Sequence, residues 1–283
     1  ASLSDLLTLK YDFLRYSLAG TTLIGMACGL LGCFIILRGL SLFGDALGHA
    51  VLPGVMIGYL LGGRHFGYIF LGALVAGLIA AALVAWIPRV SRHRPDTAIG
   101  VVFTGLFGLG VAIMSVNQAG ASGITTFLFG RALGIGPAEV AWAAGALVAV
   151  LLTVGLFYRQ LKLLTFDPVQ AVVLGLPVGA LSAILMALVT STVIVGLPVV
   201  GAVLVVALLV IPGATAYLLV GRFGPMLLIA TIVGGLSAVG GLALSHLFGW
   251  ASGAAIVLAS AGFFGLALLA QWLRRSGRRL AHA

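Results

Sequence analysis

Two ionisable side chains stand out in residues 41–54, SLFGDALGHAVLPG, because the chain contains so few of them. Asp45 is one of only 6 acidic residues among 283, and His49 is one of 5 histidines. On a helix, this four-residue spacing puts both side chains on one face, about 40° apart around the axis and ~6 Å apart along it. A carboxylate oxygen and an imidazole nitrogen placed together are half of a site for a divalent metal ion. Because no thiolate accompanies them, the pattern favours Mn²⁺, Fe²⁺ or Zn²⁺ over Cu⁺.

The same pair also has a purely structural interpretation. Asp45 and His49 could hydrogen-bond each other and lock a helix interface, or Asp45 could lie near the lipid headgroups, about 10 Å from Arg38. Pro53 predicts a kink in the helix at the level of His49. One copy of the chain offers two ligands, so a complete metal site would need a second copy. The pair alone leaves both interpretations open.

The elements that must position this pair are membrane helices. The chain is 62% hydrophobic and 7% charged, with a mean hydropathy of +1.26, which leaves too little polar surface for a water-soluble fold. Runs such as residues 66–87 are apolar without alternation, as is typical of helical spans. The 41 glycines suit close helix packing in lipid. We therefore predict an all-α, polytopic membrane helix bundle.

Windows of about 20 residues, the length that crosses the hydrocarbon, predict nine spans, or eight if one weak pair is wrongly divided. They lie at 13–37, 41–62, 66–88, 97–117, 137–158, 177–195, 198–220, 225–248 and 251–273. Segment 1–12 is predicted to be a short interfacial helix, and residues 118–136 a partly re-entrant or surface loop. Residues 274–283 are predicted to be a basic cytoplasmic tail.

The basic residues predict orientation. A net charge of +9 would suggest a nucleic-acid partner for a soluble protein, but here the basic residues fall between spans and the expected surroundings are membrane lipid. With the N-terminus outside and the C-terminus in the cytoplasm, eleven of the 15 Lys and Arg residues are cytoplasmic and four are external. We therefore expect no nucleic-acid partner, and a cytoplasmic position for the 89–94 loop and the C-terminal tail.

The longest polar cytoplasmic stretch, residues 158–176, contains a second pattern. Asp167 is predicted to cap a short helix, with Pro168 at its first position and Gly175 ending it. A helix of about two turns outside the bilayer, with a signal at both ends, favours a docking element over an idle linker.

Three blocks of the sequence resemble one known family. They are LRGLSLFGDALGHAVLPGVMIGYLLGG (37–63), LLTFDPVQAVVLGLP (163–177) and VGLPVVGAVLVVALLVIPGATAYLL (195–219). Together they resemble the permeases of ATP-binding-cassette (ABC) importers for zinc, manganese and ferrous iron in bacterial cytoplasmic membranes. The resemblance implies a type II importer fold, with residues 13–273 as a single transmembrane permease domain.

The resemblance also implies partners and residue roles. The expected partners are a second permease copy, cytoplasmic ATP-binding subunits and an extracytoplasmic metal-binding protein. Asp45 and His49 would coordinate the transported ion. Residues 165–175, with Phe166, Asp167, Pro168 and Gly175, would form the coupling helix that seats in the ATPase.

The expected function is therefore ATP-driven import of a divalent metal ion, with no catalytic residues and no permanently bound cofactor. The sequence has no phosphate loop of the form G-x-x-x-x-G-K-[ST], so ATP hydrolysis is expected from a partner. One alternative is an ATP-independent metal channel or secondary carrier that uses the same pair. An intramembrane metalloenzyme is disfavoured because the zinc motif H-E-x-x-H is absent.

Overall fold

The computed structural model describes residues 12–63, 65–92, 94–116 and 135–280, and these residues fold into helices without strands. The helices, in chain order, are α1 (Asp12–Leu37), α2 (Phe43–Ala50), α3 (Leu52–Gly62), α4 (Phe66–Val90), α5 (Pro95–Val116), α6 (Pro137–Leu156), α7 (Tyr158–Phe166), α8 (Pro168–Val173), α9 (Val178–Val200), α10 (Ala202–Leu219), α11 (Phe223–Phe248) and α12 (Ser252–Leu280). The predicted interfacial segment 1–12 and loop 118–136 lie almost entirely outside the described residues.

The described residues contain nine stretches long and apolar enough to cross a membrane, which confirms the predicted helical bundle. The second span, Phe43–Gly62, consists of α2 and α3 together. Its helix is interrupted at Val51, two residues before Pro53, as expected for a residue without a backbone N–H. The polar pair therefore lies on a short half-helix.

One predicted boundary is wrong. The sequence placed the end of the sixth span at residue 195, before Pro198, whereas α9 continues through that proline to Val200. A proline removes one helical hydrogen bond, which a packed helix can tolerate. Gly201 ends the helix because it adopts a φ of +85°, a left-handed conformation that glycine reaches without steric cost.

The centre of the bundle is α1, which packs against α10 and α11. Glycines allow the backbones to approach closely: a Cβ on Gly29 would collide with the carbonyl of Ala230, and one on Gly32 with the carbonyl of Leu209. Small residues are the usual means of tight helix packing in lipid. The large side chains of Leu31 and Phe34 on the same helix are fully buried.

The peripheral spans are far more exposed within a single chain. Burial covers 72% of the best window of α1 but only 17% of that of α5 and 22% of that of α12. These outer faces are available to lipid or to partner chains. Helix α12 continues to Leu280, so the segment predicted as a tail from residue 274 begins as an extension of this helix.

Candidate metal site and docking segment

The half-helix α2 is amphipathic. Its buried residues are Phe43, Gly44, Ala46, Leu47, Gly48 and Ala50. Asp45 and His49 occupy the remaining face, as their four-residue spacing predicts. The apolar face therefore fixes α2 against the bundle, and the two polar side chains point away from the core of their own chain.

The two groups of the pair are close but are not hydrogen-bonded to each other. His49 Nε2 lies 3.8 Å from Asp45 Oδ1, which is beyond hydrogen-bond distance. The Asp45 side chain is 55% exposed and that of His49 is 32% exposed. In the described part of the chain, His49 is the only ion-pair partner of Asp45. A carboxylate on a membrane span is thus left with unused acceptor capacity.

The same distance suits a shared cation. For a tetrahedral ion such as zinc, bonds of about 2.1 Å to oxygen and nitrogen hold two ligand atoms roughly 3.4 Å apart. A side-chain movement of about 0.4 Å therefore converts the observed pair into two ligands of one ion. The described residues contain no group of three or more potential metal ligands, so the described part of one chain supplies only an incomplete coordination shell.

Two phenylalanines of α5 pack against the imidazole of His49. The ring of His49 lies 5.4 Å from that of Phe103 and 5.6 Å from that of Phe107, measured between centroids, with the second pair edge to face. His49 Nδ1 is enclosed and has no hydrogen-bond partner among the described residues. The imidazole therefore packs between Asp45 on its own helix and two aromatic rings of α5.

Sequence reasoning missed Phe103 and Phe107. Their four-residue spacing on a predicted helix places them on one face, and this was the available signal. It does not reveal which helix they face. The contact with His49 arises because α2 packs against α5.

The second predicted element, residues 158–176, forms α7 and α8 outside the nine spans. Asp167 Oδ1 accepts a hydrogen bond of 2.8 Å from the backbone N–H of Gln170, which is the predicted N-cap. Pro168 begins α8, and Gly175 follows its end with a φ of +74°. The predicted cap and the predicted stop are both present.

This segment exposes a run of apolar side chains. Phe166 is 57% exposed and Val173 is 79% exposed. We define the docking patch as Phe166, Val169, Val172, Val173 and Leu174, all of which are exposed. Leu161, Leu164 and Ala171 are buried and attach the segment to the bundle. A contiguous exposed apolar patch of this kind marks a contact with a protein or with a membrane.

The structure keeps the two predicted groups apart. Asp45 and His49 lie on α2, whereas Phe166, Asp167, Pro168 and Gly175 belong to the α7–α8 region. Among the described residues, no hydrogen bond, ion pair or ring contact joins one group directly to the other. Any communication between them must pass through other elements.

Comparison with known proteins decides the family. Residues 10–271 match the ABC 3 transport family. The chain belongs to this family. The manganese transport system membrane protein MntC of Halalkalibacterium halodurans is 42% identical over 259 residues, which cover 92% of this chain and 87% of the relative. The manganese import system permease protein ScaB of Streptococcus parasanguinis is 38% identical over 274 residues, covering 97% and 95% of the two chains.

A solved structure has the same fold as this chain. A chain of PsaBC from Streptococcus pneumoniae in complex with Fab superposes with a TM-score of 0.83 at 35% identity, covering 94% of this chain and 95% of that chain. The resemblance stated from three sequence blocks is thus confirmed for the family and for the fold. The chain is a multi-pass permease of an ABC transport family.

Proposed function

We propose that this chain is the permease of an ATP-driven importer that moves a divalent transition-metal ion, with manganese as the preferred substrate. Manganese is proposed because two relatives, at 42% and 38% identity, are named for manganese transport. A mixed oxygen and nitrogen site also accepts zinc and ferrous iron.

Asp45 and His49 are the proposed ligands of the ion in transit. The observation that carries this assignment is an exposed carboxylate 3.8 Å from an imidazole nitrogen on the free face of a membrane half-helix. An uncompensated charge in a span is costly, and a passing cation compensates it. A second permease copy, related by a two-fold axis, would bring the ligand count to four.

The docking patch is the proposed contact with a cytoplasmic ATP-binding subunit. Its apolar side chains lie outside the spans, where an apolar pocket on a partner protein would cover them. Asp167 and Gly175 define the two ends of the helix that would insert. This assignment places α7 and α8 in the cytoplasm, with the N-terminus outside and the C-terminus inside, in agreement with the distribution of basic residues.

An extracytoplasmic binding protein would deliver the ion to the opposite end of the bundle. Residues 13–273 would then act as one permease domain and 274–283 as a basic cytoplasmic extension. Hydrolysis of ATP on the partner subunits would change the angle between the two permease copies and release the ion inward. The permease itself would be a transport subunit without ATPase activity and without a permanently bound cofactor.

The test is a reconstituted complex of the permease, the ATP-binding subunit encoded beside it and the metal-binding protein. Manganese should stimulate ATP turnover in the wild type and should fail to do so in Asp45→Asn and His49→Gln, with all three complexes equally assembled. Equal stimulation in the variants would remove the proposed ligands. Rapid manganese flux through the permease alone in liposomes, without ATP, would favour the channel or carrier instead.

A further inference from the structure

We call α7 and α8 together the docking segment. Four aromatic rings meet where this segment contacts the bundle. Phe223, the first residue of α11, lies 5.5 Å from Phe166 with the rings perpendicular, and 5.2 Å from Phe34, also edge to face. Tyr158 stacks on Phe223 at 5.9 Å. We call these four residues the Phe223 cluster. Phe223 therefore contacts both a residue of the docking patch and a residue near the end of α1.

The centre of the Phe223 cluster is buried in the protein interior. Phe34 is fully buried and Phe223 is only 6% exposed, while Phe166 at the edge is 57% exposed. Close-packed interiors are not continuously deformable, so a displaced ring must move its neighbours or break the contact. A partner that shifts Phe166 therefore either moves Phe223 and, through it, Phe34, or breaks the contact between the rings of Phe166 and Phe223.

The chain continues from Phe34 to Asp45 and His49 through a short, hydrogen-bonded turn at residues 38–42. Gly39 adopts a φ of +68°, the backbone N–H of Leu40 donates to the carbonyl of Ile35 at 2.9 Å, and that of Phe43 donates to Leu40 at 2.9 Å. The carbonyl of Leu42 then accepts from Ala46 at 3.0 Å. These hydrogen bonds connect the end of α1 closely to the beginning of α2, and α2 carries Asp45 and His49.

A second connection joins the same turn to the other end of the docking segment. Arg38 Nη2 donates a hydrogen bond of 3.1 Å to Ser182 Oγ, and Ser182 lies in the second turn of α9, shortly after Gly175. Burial lowers the pKa of Arg38 from its ordinary value, although the guanidinium remains a cation at physiological pH. The 38–42 turn is thus hydrogen-bonded to α9, which follows α8 in the chain.

We propose that Phe223 is a positioning residue that transmits movement of the docking segment, through Phe34 and the 38–42 turn, to the half-helix that carries Asp45 and His49. This inference rests on the proposed function, because it assumes that the docking patch receives an ATP-binding subunit. It adds a physical route between two sites that have no direct contact. The route predicts that loss of the Phe223 ring uncouples metal stimulation from ATP hydrolysis without preventing assembly.

The experiment compares Phe223→Leu with Phe157→Leu in the complete reconstituted complex. Leucine preserves an apolar side chain but removes the edge-to-face contacts. Phe157 is a partly buried residue beside α7, and its ring contacts no other aromatic ring among the described residues, so it controls for general loss of packing. We expect Phe223→Leu to retain subunit assembly and basal ATP turnover within about twofold, while stimulation by manganese-loaded binding protein falls at least about threefold, the factor for one lost aromatic contact. Phe157→Leu should leave the stimulation unchanged.

A double-mutant cycle with Phe34→Leu tests whether the two rings act as one route. If the two rings act as one route, the double variant should lose no more stimulation than the worse single variant. Additive losses, or full stimulation in Phe223→Leu, would overturn the inference. Loss of assembly in Phe223→Leu would overturn it too, because the ring would then serve docking. Failure of the wild type itself to bind the ATP-binding subunit would instead refute the proposed function.

Discussion

The half-helix α2 and the docking segment are mismatched to their surroundings in opposite ways. In α2, a carboxylate and an imidazole lie within a membrane span, with Asp45 55% exposed on the chain's own surface. In α7 and α8, apolar side chains such as Val173, 79% exposed, lie outside the spans. A polar pair on a candidate span and an exposed apolar patch outside the spans are each unusual in an isolated chain and each indicate a missing partner.

The difference teaches what each region is missing. In the proposed function, the deficit in α2 is electrostatic and a small cation relieves it, with the described part of one chain supplying two of the ligands. The deficit in the docking segment is hydrophobic and extends over several side chains, so a protein surface relieves it. Changes in the first region should therefore affect metal transport alone, and changes in the second should affect assembly first.

The largest effect is expected from charging the docking patch. Val172→Asp together with Val173→Asp should abolish co-purification of the ATP-binding subunit, because two carboxylates cannot enter an apolar pocket unpaired. All ATP-driven uptake should be lost as a consequence. Lys162→Glu on α7 introduces a carboxylate on the same segment without removing patch surface, and it should assemble normally. Normal assembly of the double variant would show that the patch is not the contact.

The second effect should appear without any loss of assembly. Asp45→Asn preserves size but removes the charge and weakens the oxygen ligand, so manganese uptake into vesicles should fall by more than about 100-fold, beyond the range seen for outer-shell partners of metal ligands. Asp96→Asn, at the beginning of α5, changes the same residue type outside the pair and should transport normally. Uptake in Asp45→Asn near the wild-type rate would exclude a ligand role.

A smaller change should follow from removing the cap of α8. Asp167→Ala deletes the side chain that accepts from the Gln170 N–H, which costs about 1 kcal/mol of helix stability. The affinity for the ATP-binding subunit should drop about fivefold, as measured by titration on the reconstituted permease. Gln170→Ala keeps the backbone donor and should bind as the wild type does. Equal affinities for both variants would mean that the cap does not organise the contact.

The smallest expected change concerns the aromatic wall behind His49. Phe107→Leu removes the edge-to-face contact with the imidazole, so the metal concentration for half-maximal uptake should rise about threefold. Maximal uptake should change little, because both ligands remain. Phe70→Leu, which removes a ring contact with Trp142 elsewhere, is the matched control. An unchanged half-maximal concentration in Phe107→Leu would show that the ring does not position His49.

Local sequence patterns were sufficient for much of the fold and for part of the candidate site. Apolar runs predicted nine spans, and the structure has nine such stretches among its described residues. The Asp167 cap and the Gly175 stop were predicted from two residue types and are present. The sixth span was predicted to end at residue 195, but the helix passes through Pro198 and ends at Gly201. A proline signals a weak point in a helix, but neighbouring helices decide whether the helix ends there.

The aromatic contacts around His49 and Phe223 could not be predicted from the sequence. Phe103 and Phe107 hold His49 only because α2 packs against α5, and Phe223 joins Phe34 to Phe166 only because α1, α7 and α11 converge. These contacts link residues far apart in the chain, and no spacing rule predicts them.

The sequence by itself determined that this chain is a membrane protein, limited the predicted spans to eight or nine, and placed Asp45 and His49 on one helix face. These properties depend on hydropathy and on helical periodicity, both of which act over short stretches of chain. The tertiary structure alone decided that the pair stands 3.8 Å apart on an open face, and that four rings connect the docking segment to the end of α1. The physical reason is packing: which side chains meet depends on how whole helices fit together, and a local pattern contains no information about its distant neighbours.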